Sequence, residues 1–231
     1  MNRINYIRQE EKKYHDLCYE LFEAGSWLYK PVKTVMGMLN YFEGQKDLQI
    51  LDLGSGVGRN SIPIAQKIMN SGGTVTCVDL LDSALMKLQV YSKECGVFEY
   101  IKTEQAAIEN YYIAPNTYDY IVAVSSLEHV RSIDDFKKVL HSMKNGTKSG
   151  GINCLIVNSN IQEIDLETGE ELDALIEINL STEEMIRTLK SVYNEWKEVK
   201  VEMKNLAYDI VRNGKHIQLN TNAITFVVQK L

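Results

Sequence analysis

Asp52-Leu53-Gly54-Ser55-Gly56-Val57-Gly58 sets three glycines at alternate positions between an apolar run, 48–53, and a helix-like stretch at about 60–70. Glycine takes positive φ freely and has no Cβ, so such a backbone can close over a nucleotide-like ligand. Asp79 ends the next apolar run, 74–78. A carboxylate there can accept both hydroxyls of a ribose. A third run, 118–124, leads into Ser125-Ser126-Leu127-Glu128-His129-Val130. Strand carboxyl ends in α/β sheets face the ligand crevice, which makes His129 the candidate general base. Glu128 beside it is expected to point elsewhere.

Other chemistries are less well served. The dinucleotide fingerprint needs a third glycine where Arg59 stands, which disfavours a nicotinamide cofactor. There is no HExxH, and the histidines at 15, 129, 141 and 216 are widely spaced, so no metal is expected. His15 and His141 fall in helical patterns and read as surface or packing residues. The cysteines at 18, 77, 95 and 154 form no CxxC pair. Cys77 and Cys154 sit in strand-like runs as small hydrophobes, which suits a reducing compartment. A net charge of −6 gives no global footprint for nucleic acid. No signal-peptide core and no span of about 20 apolar residues is visible, so a cytoplasmic protein is expected.

Strands and helices must alternate to position these residues. Strand-like runs lie at 48–53, 74–78, 98–103, 118–124 and 152–158, with helix-like stretches at about 60–70, 82–95 and 134–144. This alternation argues for a parallel sheet covered by helices on both faces. Ser181-Thr182-Glu183-Glu184 is a capping-box sequence opening a helix to about Tyr193. Two β-rich runs, around 197–210 and 216–229, flank the hairpin signal Asn213-Gly214. The expected fold class is α/β: a doubly wound, Rossmann-like, mostly parallel sheet of seven strands with a C-terminal antiparallel hairpin. Residues 4–42 read as two helices broken at Gly25-Ser26, giving a helical cap over 1–45 and a main domain over 46–231. Residues 163–177 carry seven acidic side chains and no Lys or Arg. They read as a solvated surface loop, with a lid beside the site as the alternative.

Leu51-Asp52-Leu53-Gly54-Ser55-Gly56-Val57-Gly58 resembles the first motif of the class I S-adenosylmethionine-dependent methyltransferases. Gly58-Arg59-Asn60-Ser61-Ile62, Lys148-Ser149-Gly150-Gly151 and the Tyr193–Lys197 tail are similar to the tellurite-resistance-type branch. The resemblance covers roughly 48–231. It implies methyl transfer from S-adenosylmethionine to a small-molecule acceptor, leaving S-adenosylhomocysteine, in a monomer or homodimer. It assigns the cofactor to Asp52, Gly54, Ser55, Gly56, Gly58, Asn60, Asp79, Leu80, Ala107, Ile108 and Ser125. Ala107 stands where many members carry an acid for the adenine amine, a loss of about 0.5–1.5 kcal/mol for one hydrogen bond. N-terminal helices cover the site in such proteins, so Tyr6, Tyr14, Trp27 and Tyr29 can wall the acceptor; Tyr14, Trp27 and His129 are the acceptor candidates. The basic residues that branch carries in its last strands are replaced near Tyr208, Asp209, His216 and Asn220, which argues against tellurite itself. The Pro-Pro-Tyr and Pro-Cys motifs of DNA-base methylation are missing. The alternatives are a non-catalytic sensor of the cofactor and, less favoured, an NAD-dependent oxidoreductase.

Overall fold

In the computed structural model, the described residues are 2–19, 26, 28–212 and 214–231. One sheet carries the chain. Its strands are β1 (Gln49–Leu53), β2 (Thr74–Asp79), β3 (Ile101–Gln105), β4 (Tyr118–Val124), β5 (Thr147–Asp165), β6 (Glu171–Leu172), β7 (Lys197–Arg212) and β8 (Lys215–Gln229). They run in the order β3-β2-β1-β4-β5-β8-β7, with the two-residue β6 paired to β5. The first five of that order are parallel, and β8 is antiparallel to both neighbours. β1 pairs with both β2 and β4, so the winding reverses there and a crevice opens beyond the carboxyl ends of β1 and β4.

Alternation along β1 divides the core. Ile50 packs on one face with α3 (Ser61–Ile68), α4 (Asp82–Glu94) and α2 (Lys33–Met38). Leu51 and Leu53 pack on the other with α5 (Ile133–Gly146) and α6 (Thr182–Val192). The capping box at Ser181 and Glu184 forms in full at the start of α6. The 98–103 run begins as a 3-10 turn over Phe98–Tyr100, because Gly96 at positive φ ends α4 and the chain must still climb to the sheet. β5 runs far beyond 158 because β8 pairs with it as far as Asp165, across a bulge between Ser159 and Gln162. The acidic 163–177 segment is therefore no free surface loop. It starts as the end of β5, turns through Gly169 and returns along β6. Arg212 pairs with Lys215 at the end of the β7–β8 hairpin, and Asn213 of the Asn-Gly signal lies outside the described residues.

At the N-terminus, α1 (Arg3–Tyr19) crosses the mouth of the crevice. Leu21, Phe22, Gly25 and Trp27 lie outside the described residues. Among the described residues, no helix is long and apolar enough to cross a membrane, and no His, Cys, Asp and Glu cluster could hold a metal ion.

Candidate active site

The glycine turn is tied to both neighbouring strands. Gly54 and Ser55 donate their N–H groups to Val78 O, at 2.8 and 3.1 Å. Ser126 Oγ, just past β4, donates to Leu53 O at 2.7 Å. A Cβ on Gly54 would come within 2.3 Å of the Ser126 Cβ, and its φ is +76°, so only glycine fits. Asp79 at the end of β2 accepts from Gly56 N (2.7 Å) and Leu81 N (2.9 Å). Burial still raises its carboxyl above the ordinary value, against those two amides.

A cavity of about 920 Å³ opens here. Gly54, Ser55, Gly56, Asn60, Asp79, Leu80, Ala107, Ile108, Ser125, His129 and Tyr14 all border it. Ser55 Oγ is buried without a hydrogen-bond partner. A ligand or an ordered water in the cavity would satisfy it. Ser125 holds φ +49°, a strained conformation for serine costing about 1–3 kcal/mol, of the kind that collects at functional sites. A ribosyl ligand fits this end: a carboxylate for its hydroxyls, a backbone cradle with no Cβ, and an unpartnered hydroxyl.

Two residues expected to touch the ligand do not border the cavity. Asp52 is buried beneath the loop, where Ser61 Oγ, the first residue of α3, donates to its Oδ2. Burial, opposed by Ser61 and aided by the Asp79 charge, pushes its carboxyl up to about 7. Asp52 thus anchors α3 to β1 from behind. Gly58 faces Leu88 and Ile62, so its missing Cβ serves helix packing. Asn60 borders the cavity but also accepts from Val32 N at 3.0 Å, fixing the chain ahead of α2. Ala107 makes no side-chain bond to a base, and its carbonyl accepts from Asn110 N at 2.9 Å. Tyr6 and Tyr29 do not border the cavity.

The far half is walled by the long strands. Lys204, Leu206, Tyr208, Ile210 and Arg212 of β7 face it at alternate positions, as do Leu219, Thr221, Ala223 and Thr225 of β8. Asp209 also borders it, while His216 and Asn220 do not. α1 adds Arg8, Glu11, Lys12, Tyr14 and His15. His15 is therefore a cavity residue rather than a surface one; its Nε2 lies 3.3 Å from Glu11 Oε2. His141 is exposed on α5.

Charge pairs close this half. Arg8 reaches Glu109 (2.8 Å) and Glu177 (3.4 Å). Arg212 reaches Glu163 (2.5 Å) and Glu11 (3.1 Å). His129 Nδ1 lies 3.2 Å from Glu177 Oε2. Burial opposes charging of this imidazole, yet the Glu177 bond and the charges of Glu11 and Glu128 outweigh it and push it up to about 9. These carboxylates favour the charged imidazolium at neutral pH, which works against the general-base role expected of His129. Glu128, expected to point away, borders the cavity. Glu163 and Glu177 come from the acidic segment, so its ends serve the site while its turn stays exposed. A sequence signal for the α1 wall existed: Arg8, Glu11 and His15 share one helical face.

Residues 50–151 match the family of methyltransferase domains. A ubiquinone biosynthesis O-methyltransferase from Rickettsia typhi is 26% identical over 98% of this chain and 88% of its own. Other curated relatives of the same name align over 37–62% of their length. Among solved structures, TehB from Haemophilus influenzae superposes with a TM-score of 0.61 at 20% identity, over 87% of this chain and 62% of its own. An S-adenosylmethionine-dependent methyltransferase from Methanosarcina mazei gives 0.62 at 18%, over 87% and 99%. The domain match and the relatives agree with what the glycine turn and Asp79 are shaped to hold: the chain carries a methyltransferase domain over 50–151 and is an S-adenosylmethionine-dependent methyltransferase.

Proposed function

We propose that this enzyme methylates an oxygen of a small-molecule acceptor seated between the carboxyl end of β4, the β7–β8 hairpin and α1. The observation that carries this is the shape of the cavity. Its volume of about 920 Å³ is near the top of the range of roughly 300–1,000 Å³ for small-molecule sites, so cofactor and acceptor fit side by side. Gly54, Ser55, Gly56, Asn60, Asp79, Leu80, Ala107, Ile108 and Ser125 hold the cofactor in this reading. Leu206, Tyr208, Ile210 and Leu219 give the acceptor an apolar wall, and Tyr14 and His129 meet its polar part. Oxygen is favoured because the curated relatives are named O-methyltransferases.

When bound, S-adenosylmethionine supplies an activated methyl group, so the protein's work is to orient the acceptor and exclude water. In this reading α1 caps the catalytic domain, whereas α2 and the turn after it, expected to belong to a cap over 1–45, pack into that domain's core with Ile50 and Tyr120. The enzyme works in the cytoplasm, where its unpaired cysteines remain reduced, as a monomer or homodimer, and on free small molecules rather than nucleic acid.

Calorimetric titration with S-adenosylhomocysteine, set against NAD, tests the cofactor half. Binding of the former with a micromolar or tighter constant and no heat from NAD is the expected result; the reverse pattern rejects the reading. Transfer of labelled methyl from S-adenosylmethionine to a catechol panel then tests the acceptor half.

A further inference from the structure

Five glutamates border the cavity and are largely or wholly buried: Glu11, Glu109, Glu128, Glu163 and Glu177. Four of them have a basic side chain within reach. Glu11 and Glu163 share Arg212, Glu109 has Arg8 and Arg131, and Glu177 has Arg8 and His129. Glu128 differs. Among the described residues its side-chain hydrogen bonds come from Asn158, whose backbone N–H (3.1 Å) and Nδ2 (2.6 Å) both donate to Oε1. Its other oxygen, Oε2, is buried with no hydrogen-bond partner among the described residues, and the residue is 1% exposed.

An unpartnered buried carboxylate oxygen costs folding energy and is retained where a ligand uses it. Glu128 also sits in the turn directly after β4, three residues past the strained Ser125, and Asn158 Nδ2 bonds Ser125 Oγ as well, at 3.2 Å. Asn158 therefore holds Oε1 and Ser125 as one unit and leaves Oε2 spare. Burial also raises this carboxyl above its ordinary value, against the His129 charge and the Asn158 bonds. A carboxylate so placed accepts a proton more readily than one in water. His129 cannot compete for that proton, because it already carries its own.

We propose that Glu128 Oε2 receives the proton of the acceptor's nucleophilic group, and that the physiological acceptor is accordingly a proton-bearing oxygen nucleophile, a phenol or alcohol. This rests on the methyl-transfer reading above. As the carbon–oxygen bond forms, the carbon–sulfur bond of the methyl donor breaks, its electron pair remains on sulfur, and the O–H proton passes to Oε2. Asn158 steadies the carboxyl through Oε1 while this happens.

The test compares Glu128→Gln with the wild type on two acceptors, using labelled S-adenosylmethionine: catechol, which must lose a proton, and thiophenolate, which at neutral pH has none to lose. Glutamine keeps an oxygen for Asn158, so the fold is retained. The expected result is a loss of about 100-fold or more on catechol, the usual weight of a general base, with transfer to thiophenolate changed less than about threefold. Equal losses on both acceptors, or no loss on catechol, overturn the proposal. Binding of S-adenosylhomocysteine is measured in parallel by calorimetry. An unchanged constant in the variant supports a role confined to the acceptor; a wild type that does not bind it refutes the underlying reading instead.

Discussion

His129 Nδ1 lies 3.2 Å from Glu177 Oε2, and that contact decides what the imidazole can do. The ordinary histidine value is about 6.5, and here it is pushed up to about 9. The folded chain binds this proton more tightly than the unfolded chain. The interaction therefore contributes its full stability below about pH 6.5, loses it as pH rises towards 9, and contributes nothing above. Replacing Glu177 with Gln should lower the His129 midpoint by about one unit or more, because the largest favourable influence on the charge is removed. Imidazole NMR reads the midpoint directly, and urea unfolding at pH 6, 7.5 and 9.5 reads the linked stability. The variant should lose stability at pH 6 and show a flatter profile between 6.5 and 9. A midpoint that stays near 9 would show that Glu11 and Glu128 alone hold the charge.

α1 is an element held mainly by charge. Ile7 is its fully buried apolar side chain, while Arg3, Arg8, Glu11 and Lys12 bind the rest of the molecule through ion pairs and carbonyls. Arg8 by itself reaches Glu177 between β6 and α6, Glu109 and the His129 carbonyl. Removing one partner of a buried ion pair leaves a charge behind and costs about 3–5 kcal/mol when nothing compensates. Arg131 and His129 do compensate in part. Arg8→Met should therefore open α1 locally, with its amides exchanging at least about tenfold faster while those of β1 and β4 stay unchanged. Hydrogen exchange resolved by peptide checks this, and a uniform acceleration across the sheet would reject it. The same element shows why part of the site was hidden in the sequence. The glycine turn and Asp79 were readable because local spacing fixes them. Glu177, Glu163 and Arg212 meet residues more than forty positions away, so no local pattern marks them. The alternating cavity face of β7 and β8 was written in the strands, but its direction depends on how far β5 extends, and nothing before Asp165 announces that length.

At the scale of the molecule, the two N-terminal helices belong to different parts of the structure. α2 and the 3-10 turn Leu39–Phe42 place Val35, Leu39 and Phe42 inside the core cluster that includes Ile50, Tyr120 and Val122. Tyr120 is fully buried, and its hydroxyl donates to Val35 O at 3.0 Å. A chain that lacks α2 strips three apolar side chains from that cluster, at about 1.5–3 kcal/mol each, and leaves the Tyr120 hydroxyl without its acceptor. The sum approaches the whole stability of a typical domain, about 5–15 kcal/mol. A chain that starts at Lys30 loses α1 and the segment after it, and among the described residues the buried apolar side chains it gives up are Ile7 and Leu28. The Lys30 variant should therefore unfold cooperatively in urea with a midpoint modestly below that of the full chain, and a variant starting at Gln45 should not fold. The Lys30 variant should also bind S-adenosylhomocysteine more weakly, since Lys12, Tyr14 and His15 no longer close the cavity. Circular dichroism and calorimetry on the two truncations separate the roles. If the Gln45 variant folds with native stability, the core is confined to residues after the 3-10 turn. If the Lys30 variant fails to fold, α1 is part of the core despite its charged attachment.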